Sequence, residues 1–299
     1  MMSQDWTRRG LLRRAAATGA LVLAGSLALS ACSSADTSSG DTLAKAKEAG
    51  TIKVGFANEA PYGFTDANGE LTGEAPAVAR AVFEKLGVPK IEGVLSGFDG
   101  LIQGLGAGQF DVIAAGMFIT PERCANAAFS VPDYTTKSAF LVPEGNPKGV
   151  GTFEEVKSSK ASIAVLSGAV EKGYATDAGV PEDQIKTFDT QDNLLRAVND
   201  GRVDAAALTD ISLNDLVSKN PDAKVEVTPG FTPVSGGEPV VSAGAFVFRK
   251  GDDALREAFN AELKKLHENG EWVELVEPFG FAEQNIPGPE ITTESLCQG

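Results

Sequence analysis

The chain has one histidine, His267, in 299 residues, and three cysteines, Cys32, Cys124 and Cys297. Zinc centres collect Cys, His and carboxylate ligands at close spacing, and this sequence offers no such cluster. No metal and no cofactor is expected. Ser–His or Cys–His catalysis would have to pass through His267. That residue lies among charged neighbours in an expected helix, Asp252–Asn269, with no motif around it, and reads as a solvated helix position. Basic residues are scarce as well, 26 Lys and Arg against 41 Asp and Glu, for a net charge of −15. A surface of that sign repels phosphate backbones, so no nucleic-acid partner is expected. Long apolar runs are also missing. Ala15–Ala31 carries no charge, but it is weakly hydrophobic and broken by Thr18, Gly19, Gly25 and Ser26. A membrane span needs about 20 strongly apolar residues. Composition thus argues against an enzyme and favours an acidic, soluble chain long enough for one large domain or two modest ones.

What is present begins with an address. Thr7-Arg8-Arg9-Gly10-Leu11-Leu12 sets an arginine pair ahead of the small, uncharged stretch that ends at Ala31. Positive charge on the N-terminal side only is the layout of a secretory signal, here residues 1–31, and the pair resembles the twin-arginine variety. Leu29-Ser30-Ala31-Cys32 matches the bacterial lipobox, which implies cleavage before Cys32 and a diacylglycerol on its thiol. Residues 32–41 are small and polar and read as a flexible tether. Multiple acyl chains hold a protein on a bilayer where one chain holds it marginally. The expected location is the outer face of the cytoplasmic membrane, through this lipid anchor.

From Thr42 onward, short apolar runs alternate with helical patterns. Thr51–Phe56, Lys90–Val94, Phe110–Ala115, Ser162–Leu166, Thr187-Phe188 and Val203–Leu208 read as strands. Gly73–Leu86, Asp99–Gly106 (with Asp99 as cap), Val170–Thr176, Asp192–Asn199 and Ile211–Ser218 read as helices. This alternation predicts an α/β fold with largely parallel sheets. Two apolar runs, at 139–143 and 243–248, link two such blocks. If the second run pairs beside the first, the chain leaves block one, builds block two and returns. The expected architecture is two α/β lobes on a two-stranded hinge: lobe 1 from 42–138 plus 249–299, and lobe 2 from 144–242. Such lobes can close on a ligand.

The leader, the lipobox, the return crossing and the run Asp111-Val112-Ile113-Ala114-Ala115-Gly116-Met117-Phe118-Ile119-Thr120-Pro121-Glu122-Arg123 together resemble the polar amino-acid family of solute-binding proteins for ABC importers, a periplasmic-binding-protein-like fold. Gly55-Phe56-Ala57-Asn58-Glu59-Ala60-Pro61-Tyr62, taken with Ala114–Cys124, more narrowly resembles the ectoine/hydroxyectoine-binding lipoproteins. The resemblance covers essentially the whole chain after the signal. It implies a small zwitterionic solute, ABC permease and ATPase subunits as partners, and a receptor rather than an enzyme. A monomer is expected.

Ectoine joins a cyclic amidinium to a carboxylate, so a receptor needs an anion site, flat apolar walls and an acceptor for N–H groups. Thr120 and Pro121 should open a helix, and Arg123 can grip a carboxylate with two hydrogen bonds. Alone, this reads equally as a capped helix with a surface arginine. Tyr62, Phe98 and Phe118 follow strand ends, where ligands gather in open α/β sheets. Each ring alone reads as core, and the resemblance makes the three a cation–π cage. Glu59 can take an amidinium N–H, with Asn58 a weaker candidate beside it. In lobe 2 the amides of Gly168 and Ala169 can face the carboxylate from the other side. Asp210 either takes the cationic group or caps a helix. Cys124 and Cys297 both fall in lobe 1 and can form a disulfide outside the cell. Three alternatives remain. One is a polar amino-acid receptor using Arg123 and Asp210. Another is a dehydratase on the same fold, for which Glu59 is the only candidate acid and has no titrating partner in view. The third is a sensory receptor acting through a membrane partner.

Overall fold

The structure, a computed structural model, describes residues 42–298. The expected signal 1–31, the lipobox Cys32 and the tether 32–41 lie outside the described residues. Helix α1 (Thr42–Ala49) leads into β1 (Thr51–Phe56), where Ile52, Val54 and Phe56 are buried and Lys53 faces out. A small ribbon of β2 (Phe64–Thr65) and β3 (Leu71–Thr72) follows, then α2 (Glu74–Lys85), whose Val78, Ala79, Val82 and Phe83 make one buried stripe. Next come β4 (Lys90–Leu95), a 3-10 turn at Phe98–Gly100, α3 (Leu101–Gly106), β5 (Val112–Phe118), the one-turn α4 (Pro121–Cys124), β6 (Ala128–Phe129) and β7 (Tyr134–Thr136). The second block contains β8 (Ser138–Pro143), α5 (Phe153–Ser159), β9 (Ile163–Leu166), α6 (Glu171–Asp177), β10 (Ile185–Phe188) and α7 (Gln191–Asn199). It continues through β11 (Ala205–Thr209), α8 (Asp210–Lys219), β12 (Val225–Val227) and the hairpin β13 (Val234–Ser235) with β14 (Glu238–Pro239). The chain then returns through β15 (Ser242–Phe248), α9 (Asp253–Asn269), α10 (Glu271–Val276) and α11 (Thr293–Gln298).

Two mixed sheets organise these elements. The first runs β4-β1-β5-β15-β6, with β7 also on β15, and the second runs β10-β9-β11-β8-β12. In each, parallel strands meet one long antiparallel newcomer: β15 beside β5 in the first, β8 beside β11 in the second. Each newcomer has just arrived from the other lobe. The two apolar runs expected to pair with each other therefore lie in different sheets. Their residues are buried along almost their whole length, the signature of a strand flanked and covered on all sides. The chain crosses between sheets at Lys137 and again at Val240–Val241, so 139–143 and 243–248 are sheet strands rather than hinge.

Period-two alternation sends β5 to both faces of its sheet. Val112, Ala114 and Phe118 join Phe83, Phe259 and Trp272 on one side, and Ile113, Ala115 and Met117 join Leu101, Phe110 and Phe129 on the other. The second sheet is likewise covered on both faces. Two local expectations change. Asp99 lies inside the 3-10 turn, and the residue before α3 is Gly100, with no side-chain cap. His267 is not solvated: its side chain is 14% exposed, with Nε2 3.6 Å from Asp133 Oδ1 and its ring edge-on to Trp272. It sits four residues after buried Leu263, on the inward face of α9.

Candidate functional site

After β1 the chain folds back on itself: Glu59 and Gly63 exchange backbone hydrogen bonds at 3.0 Å. This tight loop turns Glu59 and Tyr62 toward the second lobe. The Tyr62 ring lies flat on Tyr134, centroids 5.3 Å apart, against the backbone of Gly116. That glycine has φ +64, and a Cβ there would sit 2.5 Å from the ring. Phe118 ends β5, and Phe98 opens the 3-10 turn after β4. Thr120 caps α4, its Oγ1 accepting from Arg123 N at 3.2 Å, with Pro121 at the first helical position. Within this short helix, Arg123 turns back over β5. Its Nη1 donates to Phe118 O at 2.9 Å, its Nη2 to Gly168 O of the second lobe at 2.9 Å, and its guanidinium lies over the Phe98 ring at 5.4 Å. The next residue, Cys124, is joined by a disulfide to Cys297 of α11, with Cα atoms 5.7 Å apart. The C-terminal helix thereby anchors the turn that carries Arg123.

Glu59, Tyr62, Phe98, Gly116, Phe118 and Arg123 from the first lobe meet Ala169, Val170, Glu171, Leu208 and Thr209 from the second around one pocket. Its cavity is ≈ 20 Å³, room for about one water, so the lobes stand closed on each other. Contacts across the gap agree. Tyr62 OH donates to Thr209 Oγ1 at 3.0 Å, Ser212 Oγ to Glu59 Oε1 at 3.3 Å, and Ser167 Oγ to Asp99 Oδ2 at 3.0 Å. Gly168, φ +74, lies so near the opposite lobe that a Cβ on it would be 2.6 Å from Asp99 Cα.

Among the described residues, the pocket is lined by one cation, Arg123, and two carboxyls, Glu59 and Glu171. Glu59 is 8% exposed and Glu171 2%. Burial, and then the charge of Glu171, push Glu59 up to about 8, against the opposing pull of Ser212 and Arg123. Burial likewise lifts Glu171 to about 7, opposed by its own backbone N–H and by Arg123. Loss of hydration lowers the Arg123 guanidinium from its ordinary value, yet arginine keeps its charge in proteins. Glu171 Oε2 has no hydrogen-bond partner among the described residues, and a buried unpaired acceptor costs about 1–3 kcal/mol. Such a pocket can pair a bound carboxylate with Arg123 and bound N–H groups with two carboxyls, between aromatic walls. Glu59 does have a titrating partner, contrary to expectation.

Of the nine expected site residues, Glu59, Tyr62, Phe98, Phe118, Arg123 and Ala169 come together here. Thr120 and Gly168 line an adjoining groove that shares Phe98, Arg123 and Ala169 with the pocket. The amide of Ala169 is already engaged with Leu166 O at 3.2 Å. Asn58 points elsewhere, its Oδ1 accepting from Thr65 N at 3.0 Å. Asp210 is misplaced by the expectation. It lines a different, wider cavity of ≈ 950 Å³ at the crossing segments, and its Oδ1 is taken up by Thr136 Oγ1 at 2.6 Å and Ile211 N at 3.0 Å. Its neighbour Thr209 reaches the pocket instead. Glu171 and Thr209 carry no site signal in the sequence: a glutamate in a helix's first turn and a threonine before one both read as ordinary helix-start chemistry.

A family model described as bacterial extracellular solute-binding proteins, family 3, matches residues 52–282. The probable amino-acid ABC transporter periplasmic-binding protein y4tE of Sinorhizobium fredii (strain NBRC 101917 / NGR234) is 38% identical over 274 residues, 90% of each chain. The L-cystine-binding protein TcyJ of Escherichia coli (strain K12) is 27% identical over 231 residues, 76% of this chain and 82% of TcyJ. Among solved structures, EhuB in complex with hydroxyectoine superposes with a TM-score of 0.78 at 39% identity, covering 86% of this chain and 98% of that one. An ancestral arginine-binding protein bound to arginine gives a TM-score of 0.68 at 31% identity, covering 77% and 98%.

Proposed function

The chain belongs to the bacterial extracellular solute-binding proteins, family 3, and from that premise we propose that it is the receptor of an ABC importer for a small cyclic zwitterion of the ectoine or hydroxyectoine kind. Family members work outside the cytoplasm with a permease and an ATPase. The carrying observation is the convergence of Arg123, Glu59, Tyr62, Phe98 and Phe118 on one pocket between the lobes. On this reading the lobes part to admit the solute, and Arg123 trades the Gly168 carbonyl for the solute carboxylate. The amidinium lies between the rings, each worth about 0.5–2 kcal/mol when desolvated, and gives its N–H groups to Glu59 and Glu171. Likeness to EhuB, which holds hydroxyectoine, supports this choice of solute. Cys32 is read as the lipid anchor that keeps a monomeric receptor at the outer face of the membrane.

A polar amino acid is the second reading, favoured by the likeness to y4tE and to an arginine-bound protein. It would need Glu59 or Glu171 for the ammonium group, because Asp210 faces the other cavity. Calorimetric titration of residues 42–299 with ectoine, hydroxyectoine, proline, glutamate and arginine separates the two. Micromolar or tighter binding of an ectoine, with the amino acids silent, is expected. Tight binding of an amino acid alone would replace the solute, and turnover of a dehydratase substrate would replace the receptor.

A further inference from the structure

The start of α8 makes contacts in two directions. Thr209, its N-cap, accepts from Ser212 N at 3.2 Å and from the Tyr62 hydroxyl at 3.0 Å, while Ser212 Oγ reaches Glu59. Both contacts look into the pocket. Asp210, between them in sequence, looks the other way. Its Oδ1 accepts from Thr136 Oγ1 at 2.6 Å and from Lys137 N at 3.3 Å, and its backbone N donates to Lys137 O at 2.9 Å. Thr136 ends β7 in the first lobe's sheet, and Lys137 is the residue at which the chain crosses. One carboxylate of the second lobe is thus bonded to the first lobe at the crossing. A hydroxyl bonded to a carboxylate at this distance is a strong, charge-assisted contact.

A wide space adjoins this junction. Asp210, Lys137, Val240 and Val241 line the ≈ 950 Å³ cavity, across which Asn214 and Asp215 of α8 share the lining with Glu277 and Phe279 of the first lobe. This space lies next to both crossings and to the contact between Asp210 and Thr136.

We propose that Asp210 is a positioning residue, a latch at the hinge that favours the closed arrangement through Thr136 and sets solute affinity without touching solute. Apparent affinity scales with the fraction of molecules in the binding-competent arrangement, so loss of the latch weakens binding of whatever the pocket holds. The latch uses an oxygen acceptor at Oδ1, which an asparagine carbonyl can replace.

Three single variants, Asp210→Ala, Asp210→Asn and Thr136→Val, and the double variant of Asp210→Ala with Thr136→Val test the role. Small-angle X-ray scattering without solute reads lobe separation and needs nothing from the solute assignment; only the affinity arm, measured with ectoine and hydroxyectoine, rests on that reading. Asp210→Ala and Thr136→Val should each enlarge the radius of gyration and weaken affinity about 10-fold, the scale of one charge-assisted hydrogen bond. The double variant should be no worse than either alone, and Asp210→Asn should stay within about 3-fold of the parent. Thr136→Val removes the same bond from the other lobe, so the test survives a misfolded Asp210 variant. Parent-like scattering for both Asp210→Ala and Thr136→Val would overturn the latch. So would an Asp210→Asn as damaging in affinity as Asp210→Ala with unchanged scattering, since the lost charge would then act on the solute.

Discussion

The lobes enclose two spaces that differ in almost every physical respect. The pocket is narrow, walled by aromatic rings and holds carboxyls whose titration burial has displaced toward neutrality. The cavity at the crossings is some 950 Å³ and lined largely by polar side chains such as Asp215 and Asn214, the former already paired with Lys219 at 2.7 Å. Removing water makes every charge in the first space consequential, and leaving water in makes most charges in the second nearly neutral in effect. On the proposed reading, recognition belongs in the dry space and motion is accommodated in the wet one.

The largest effect is expected where that contrast is sharpest. Arg123→Ala removes the cation that lines the pocket and leaves any bound carboxylate desolvated and unpaired, which costs at least about 2 kcal/mol, or roughly 30-fold in affinity. Unchanged calorimetric affinity would show that the narrow space is not where the anion goes. Next comes Gly168→Ala. The new methyl meets Asp99 Cα at 2.6 Å, and the left-handed backbone there is itself costly for alanine. Closure should be impaired and affinity should fall about 10-fold, the scale of 1–2 kcal/mol of steric cost. Scattering that still contracts fully on adding solute would contradict it.

Titration gives a third, smaller effect with two opposite signs. Glu59 and Glu171 stand at about 8 and about 7 in the folded chain, above the ordinary 4.5. Between the unfolded and folded values the native protein holds more protons than the unfolded chain. Folding stability is therefore full below the ordinary carboxyl range and is lost as pH rises through neutrality to about 8. The solute's amidinium prefers the ionised carboxyls, so affinity should rise over the same window, several-fold between about pH 6 and pH 9. Because the two groups interact, the steps belong to the pair rather than to either residue. Melting curves and titrations run across that range check both signs, and Glu59→Gln should flatten each. A melting temperature that climbs with pH would be incompatible with two buried, proton-bearing carboxyls.

The two spaces were not equally legible beforehand. First-lobe residues of the pocket sit in a continuous run from Asp111 to Arg123, in the loop after β1 and, for Phe98, in the turn after β4, where residue type, strand end and helix cap agree. Second-lobe residues offered no such agreement. Thr209 and Asp210 differ by one position, but successive residues of a helix start point about 100° apart, and that angle decides which space each enters. Glu171 is indistinguishable in sequence from a glutamate placed to complement a helix dipole; only its 2% exposure sets it apart. The crossing strands were recognisable as apolar runs, yet a strand buried on both faces carries no mark of which sheet it will join. For His267, the charged neighbours in sequence hide its place four residues after buried Leu263, on the inward face of α9.

The smallest effect belongs to the wide space and tests the comparison from its other side. Asp215→Asn removes a carboxylate that lines the crossing cavity and pairs with Lys219 one turn along α8. Exposed pairs at this spacing are worth only about 0.3–0.5 kcal/mol. The site also lies away from the pocket's lining. Stability should therefore change by less than about 1 kcal/mol, and solute affinity should stay within about twofold of the parent. The same substitution in added salt should show still less, because the parent's pair is already screened. A tenfold loss of affinity from Asp215→Asn would mean that the wide cavity takes part in recognition after all. The division between a dry space that binds and a wet space that yields would then have to be redrawn around α8, whose first turn touches both.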